Sequence, residues 1–313
     1  MPSFPKPKFI NSFNVNDEIT HLIQHKIKRN IPDKIDNKLL IASWNIANLG
    51  LQKRHLDHYK LIAEILSWFD IVAIQEVNYN LEGIRDIESE LPSHYDIVFS
   101  DKGGNNERSA FIFDNRKIKL LELVGEIAIP PKDHKHIKIK NITQKFMGFD
   151  RNPYLCSFQW NNFTFNLITV HSFSGGKTKT DLERRALEAY AISRYADLSR
   201  INKYSFSKNI ITLGDFNIPK IESGDVVYEA LMSRGLKLPV HSTKVYSNIS
   251  NDKQFDQIAF LPSLKSKIIK DGVFDFDSAI FPKLWQKENS KNFRAYLRYY
   301  MSDHRPLWIQ LRL

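Results

Sequence analysis

Short apolar runs rich in β-branched residues constrain this chain most. LLIASWNIANL, DIVAIQEV, FTFNLITVHS and NIITLGDFNI read as strands that place apolar residues on both faces. Such strands need cover on each side, from helices or from a second sheet. Two segments supply the helical pattern. HYKLIAEILSWF repeats apolar residues at i, i+3, i+4 and i+7, and TDLERRALEAYAISRYADLSRI puts Leu182, Ala186, Ala189, Ile192, Ser193 and Ala196 on one stripe. YDIVFS, SAFIFD, KLLELVGEIAI, YLCSFQW, KVYSNI, FDQIAFL and PLWIQLRL complete the strands, joined by turns carrying Gly, Asn and Asp. Many strands with few long helices predict an α/β protein of two packed sheets with helices outside.

Residues 1–38 read as a basic arm preceding a main domain over 39–313. Pro2, Pro5 and Pro7 forbid a regular helix at the start, while Ile19, Leu22, Ile23 and Ile27 recur at helical spacing after an Asn16 or Asp17 cap. The expected product is a short helix packed on the main body. His21 and His25 stand four apart on it, a spacing open to a metal, but no third ligand lies nearby.

Composition narrows the function classes. The single cysteine, Cys156, excludes an intramolecular disulfide framework and any cysteine-rich zinc site, which points to the cytoplasm. No apolar run approaches the ~18–20 residues of a membrane span, and the first residues lack a signal-peptide core, so no membrane partner is expected. A net charge of +10 favours a polyanionic partner.

Polar residues close the buried strands. Asn45 follows Trp44, Glu76 ends IVAIQE, His171 ends NLITVH, Asp215 and Asn217 end IITLGDFN, and Asp303 with His304 precede the last strand. Each alone reads as a turn or cap residue. Together they supply hard oxygen donors for Mg²⁺ or Mn²⁺ and two histidines to move protons, at strand ends where α/β sites form.

SWNIANL, IVAIQEV, TVHS, LGDFNIP, FDQIAF and SDHRPLW, in that order, resemble the motif series of the endonuclease/exonuclease/phosphatase superfamily, and most closely its DNase I-like branch as found in intracellular bacterial members. The resemblance spans residues 39–313 and implies a four-layer α/β sandwich, two packed mixed β-sheets flanked by helices. It further implies metal-dependent phosphodiester hydrolysis. FDRNPYLCSF resembles the branch's Arg-x-Pro strand start, making Arg151 the phosphate-binding arginine. NNERSAFIF makes Glu107 the partner of His171, and FDQIAF makes Asp256 the partner of His304. His304, as a neutral imidazole near its ordinary value of about 6.5, would take the proton from water, and His171 would donate to the leaving oxygen. Asn45, Glu76, Asp215 and Asp303 would hold Mg²⁺ or Mn²⁺, with Ca²⁺ a further candidate; Asn217 would orient the phosphate. The branch carries a tyrosine two residues before Glu107, where this chain has Asn105.

Substrate class rests on the flanks. Residues 1–38, 130–151, 172–209 and 282–300 carry net charges of +3, +4, +4 and +4, which leaves the remainder acidic. Phe293, Tyr296, Leu297 and Tyr300 share a helical stripe and are expected in the core rather than against bases. In HSFSGGKTKT, Gly175, Gly176 and Lys177 lack the earlier glycine of a nucleotide loop, so Lys177 is expected to meet a nucleic-acid backbone. The expected function is a monomeric nuclease acting on DNA, with RNA as a variant. The alternatives are a phosphatase or phospholipase acting on phosphoinositide or sphingomyelin, and a nucleic-acid-binding module without activity.

Overall fold

The computed structural model describes residues 3–313, so Pro2 lies outside the described residues. In chain order the elements are α1 (Val15–Lys28), β1 (Lys38–Leu49), α2 (Leu56–Ser67), β2 (Ile71–Asn78), α3 (Glu82–Glu90), β3 (Tyr95–Phe99) and β4 (Glu107–Asp114). There follow β5 (Lys119–Glu126), β6 (Tyr154–Trp160), β7 (Phe163–His171), α4 (Lys179–Ile201), β8 (Ile210–Asp215) and α5 (Val226–Met232). The chain ends with β9 (Asp256–Phe260), β10 (Ile268–Val273), α6 (Pro282–Lys287), α7 (Ser290–Tyr300) and β11 (Leu307–Arg312). One sheet runs β10-β11-β1-β2-β4-β3 and the other β5-β6-β7-β8-β9. Each is mixed: β1–β2 and β7–β8 pair in parallel, their other neighbours antiparallel.

Strand parity builds the layers. In β1, Leu39 and Ile41 enter the cluster between the sheets, while Leu40, Ala42, Trp44 and Ile46 enter the cluster under the helices. The inner cluster also takes Ile71 and Ala73 of β2, Tyr154, Cys156 and Phe158 of β6, and Ile211 and Leu213 of β8. On the far side, Ile168 and Val170 of β7 pack with Ala186, Ala189 and Ile192 of α4 and Val227 of α5. The result is the expected four-layer sandwich. No helix among the described residues is long and apolar enough to cross a membrane.

Three local readings change. The cap of α1 is Asn14, whose side chain accepts from the backbone N–H of Asn16 and Asp17. His21 and His25 do not converge on a metal, because His21 pairs with Glu18 at 3.2 Å and His25 with Asp275 at 2.8 Å. KVYSNI is not a strand; its backbone is engaged with the turn around His304 instead, Ile249 N–H donating to Asp303 O (3.0 Å) and Arg305 N–H to Ser247 O (2.6 Å).

The arm lies across α2 and α7. Phe9 stacks on Tyr296, and Phe13 meets His58 edge-on. The stripe Phe293, Tyr296, Leu297 and Tyr300 is buried, as its spacing predicts. His58 is buried among these rings, 2.9 Å from the Tyr296 hydroxyl and stacked on Tyr300 at 4.5 Å. Burial, reinforced by His55 and Arg54, lowers its pKa to about 3. Unfolding therefore takes up a proton at pH values below the ordinary ~6.5, and the stability held above that pH is lost as pH falls toward 3, by about 1.4 kcal/mol per pH unit. Melting temperatures at pH 6.5 and 4.5 should thus converge in His58→Phe relative to the unaltered protein. An equal drop in both would remove His58 as the cause.

Candidate active site

Parity also places the site. Residues 39, 41, 43 and 45 share the inner face of β1, and Asn45 comes at its far end, followed in register by Gln75 of β2. Likewise Leu167, Thr169 and His171 of β7, Ile211, Leu213 and Asp215 of β8, and Asp256 of β9 fall on inner positions, with His171 opposite Asp215 and Asp215 opposite Asp256. Polar residues thus replace the apolar core at one end of the cleft between the sheets. Gln75 forms the floor, its amide donating to Thr169 Oγ1 (2.8 Å) and Ser43 Oγ (3.2 Å).

Glu76 has the wrong parity for this face. A bulge corrects it: Glu76 has φ 62°, and the β2–β4 register shifts between Ile74 and Val77. Bulges re-aim side chains in this way. Its Oε2 accepts from Asn48 N–H (2.8 Å) and its Oε1 from Asn45 Nδ2 (2.9 Å). Gly214, at φ 134°, allows β8 to approach β7, since a Cβ there would stand 2.1 Å from Val170 O.

Two histidines face one carboxylate oxygen. His171 Nε2 lies 3.8 Å and His304 Nε2 3.9 Å from Asp215 Oδ2. Behind them, His304 Nδ1 is hydrogen-bonded to Asp256 Oδ2 at 2.8 Å, and His171 Nδ1 stands 2.9 Å from Glu107 Oε2 as an ion pair without hydrogen-bond alignment. Trp44 Nε1 donates to His304 O (2.8 Å), and Ser302 Oγ joins Asn45 O (2.6 Å) to His304 N–H (3.0 Å), so the first and last motifs are tied together.

Electrostatics follow from burial and these partners. Burial and Arg151 alone would lower the His171 pKa, but Glu107 and Asp215 outweigh them and raise it. For His304, burial is again outweighed, by Asp256, Asp215 and Asp303, and its pKa rises well above the ordinary value. The carboxylates around the two imidazoles therefore displace both upward from the ordinary 6.5. Burial raises the Glu76 carboxyl.

Asn45, Glu76 and Asp215 fit a hard divalent cation. Asn45 Oδ1 is buried without a hydrogen-bond partner, while Nδ2 of the same amide binds Glu76 and Asp215 (3.1 Å). Among the described residues, Asp215, Asp256 and His304 also lie close enough to share an ion. Asp256 and His304 already bind each other, however, which leaves the oxygen set as the better seat.

The remaining expected residues surround this cluster. Arg151 is buried, and its guanidinium donates to His171 O (2.9 Å) and Ser172 O (2.8 Å), with Nη1 3.2 Å from Asp150. It braces the loop after β7, with Nε 3.8 Å from Glu107 Oε2 and Nη1 without an aligned hydrogen bond. Asp303 sits at the rim with Oδ2 3.1 Å from Arg298 Nε and Oδ1 3.9 Å from His304 Nε2, so a cation is already beside it. Lys177 is exposed on the loop before α4. Asn217, in left-handed backbone (φ 51°), donates its N–H to Asp215 Oδ1 (2.8 Å) and its amide to Ser172 O (3.1 Å).

Two buried arginines escaped the motif reading. Arg185 donates to the carbonyls of Phe173, Ser174, Gly176 and Asn217, and Arg54 to those of Ala47, Asn48, Tyr300 and Met301. In sequence both look like ordinary cations; only an arginine on the buried stripe of TDLERRALEAYAISRYADLSRI hinted at the first. Glu188, similarly buried, accepts from Asp150 N–H and Phe173 N–H.

No protein-family model and no curated protein sequence matches the chain. Solved structures do. An endonuclease/exonuclease/phosphatase family protein from Bacteroides thetaiotaomicron superposes with a TM-score of 0.58 at 19% identity, over 88% of this chain and 94% of that one. This is the endonuclease/exonuclease/phosphatase fold. The mannosyl-6-phosphatase Bt3783 of the same organism gives a TM-score of 0.59 at 18% identity, over 88% of this chain and 100% of the other. D. rerio TDP2, solved with a single strand DNA product, gives 0.56 at 16% identity, over 89% and 100%. Proteins of this fold include hydrolases of phosphoester bonds, and the oxygen donors at the cleft end lie where the fold's converging strands meet.

Proposed function

We propose that the chain is a metal-dependent phosphodiesterase that hydrolyses nucleic acid, with DNA as the favoured substrate. The observation that carries this reading is the pair of acid-backed histidines directed at one buried carboxylate oxygen. In-line hydrolysis of a phosphodiester needs one group to take a proton from water and another to give one to the leaving oxygen. His304, held through Nδ1 by Asp256, takes the water proton at Nε2. His171, kept protonated by Glu107, donates from Nε2 to the departing oxygen. Asn45, Glu76 and Asp215 would hold Mg²⁺ or Mn²⁺, whose positive charge would offset that of the non-bridging oxygens and favour neutral His304. Asn217 and Lys177 orient the phosphate, while Arg151 and Arg185 hold the loop between them.

The charge pattern supports a polyanionic substrate: lysines of 130–151 and 282–300 are exposed, while Glu76, Glu107, Asp215, Asp256 and Asp303 cluster around the two histidines. The D. rerio TDP2 structure, with its single strand DNA product, agrees in substrate class. The test is a screen of purified protein with Mg²⁺ or Mn²⁺ on plasmid, linear duplex, single-stranded DNA, RNA and a sugar phosphate. Cleavage of nucleic acid is expected. Phosphate release from the sugar ester with every nucleic acid intact would replace this reading with that of a phosphatase, the activity named for Bt3783.

A further inference from the structure

We infer that the groove between residues 138–142 and helices α4 and α5 seats a single-stranded nucleic acid running away from the scissile phosphate. The inference rests on the nuclease reading and adds where the strand goes. The groove encloses about 900 Å³, well within the range of ligand sites. Its lining mixes two chemistries. Lys138, Lys140, Lys177 and Lys179 stand exposed around it, and Ile139, Ile142, Leu182, Tyr190, Val226 and Ala230 make the floor. Glu183, 3.7 Å from Lys179, and Glu229, which accepts from Gly224 N–H, only half offset those charges.

The groove adjoins the catalytic cleft through one side chain. Arg185 Nη1 donates to Asn217 O at 3.1 Å and its Nη2 to Gly176 O at 3.0 Å, and the next residue is Lys177 on the groove rim. From Lys179 to Tyr190 the helix rises ~16 Å, so the groove is long enough for more than one nucleotide.

The floor decides between one strand and two. A duplex presents phosphates and needs only the lysines, whereas unpaired bases bury their faces on apolar and aromatic side chains while a lysine row follows the backbone. A small apolar ligand would not require the lysines. Charge complementarity and an apolar floor together select the single strand.

The test uses the full chain with Mn²⁺. Lys138→Ala/Lys140→Ala and Ala230→Trp remove, separately, the charge and the open floor. Both should raise KM for a single-stranded oligonucleotide about tenfold, and the double variant should flatten the log–log salt dependence of binding by about 1.4 for two lost contacts. Turnover of bis(p-nitrophenyl) phosphate, too small to reach the groove, should stay as in the unaltered protein and reports that each variant is folded. Should Ala230→Trp fail to fold, the lysine variant alone decides. Unchanged oligonucleotide KM and salt slope in a protein that cleaves the strand would overturn the groove and leave the nuclease reading standing. If the unaltered protein cleaves no nucleic acid and His304→Ala binds none, both fall.

Discussion

His171→Ala and His304→Ala should each lower DNA hydrolysis by about 10²–10⁴-fold, the usual range for a positioned acid or base, with oligonucleotide affinity largely retained. The two losses should separate when the leaving group changes. Nitrophenolate departs without a proton, so His171→Ala should recover most of its rate on bis(p-nitrophenyl) phosphate. His304→Ala should not, because water must still lose its proton whatever leaves. Reversal of that pattern would exchange the two roles, and equal losses on both substrates would deny His171 the acid's part. The geometry makes the contrast sharp, since both Nε2 atoms lie within 4 Å of the same Asp215 oxygen and only their partners differ. Fluorescence anisotropy with a labelled strand, run beside the kinetics, separates chemistry from binding.

Glu76→Gln should lower activity sharply and stabilise the protein when no metal is present. Burial raises the Glu76 carboxyl, so its ionised form is disfavoured in the folded chain relative to the unfolded one. The sign follows: this contribution to stability is full below the ordinary carboxylate range and is lost as pH rises through the raised value. A neutral amide of the same length, still able to accept from Asn48 N–H, relieves that penalty at pH 8. It also withdraws a charged oxygen from the cation seat, and hydrolysis should fall by on the order of 10³, the scale of losing a preorganised charge at the reacting centre. Melting in EDTA and Mn²⁺ titration by calorimetry check the two halves. A lower melting temperature in EDTA, or Mn²⁺ affinity equal to the unaltered protein's, would contradict the assignment.

Strand parity is why so much of the fold could be read in advance. Asn45, His171, Asp215 and Asp256 continue the inward register of their own strands, so a polar residue at the end of an apolar run already implies its direction. The stripe of Phe293, Tyr296, Leu297 and Tyr300 was legible for the same reason, with a period of 3.6 in place of 2. Glu76 was visible as a residue but not as a direction, because its bulge depends on backbone that no pattern of side chains encodes. Arg185 and Arg54 show the opposite difficulty. A guanidinium bound to carbonyls from distant segments has the same letter as one awaiting a phosphate, and only tertiary contacts tell them apart. The KVYSNI segment has strand composition, yet the turn around His304 competes for its backbone groups and takes them.

The arm bears on how the protein can be joined to others. Phe4 lies against the Arg298 guanidinium, 4.8 Å from ring to charge, and its N–H donates to Gln52. Arg298 in turn holds Asp303 at the rim of the cleft. Anything grafted just ahead of Phe4 therefore arrives beside the polar end of the cleft. The other terminus is far from it: Arg312 pairs with Lys38 at the start of β1, and the seven residues from there to Asn45 span ~23 Å. An affinity handle or a fused domain belongs after Leu313, where it leaves the Phe4–Arg298–Asp303 stack untouched.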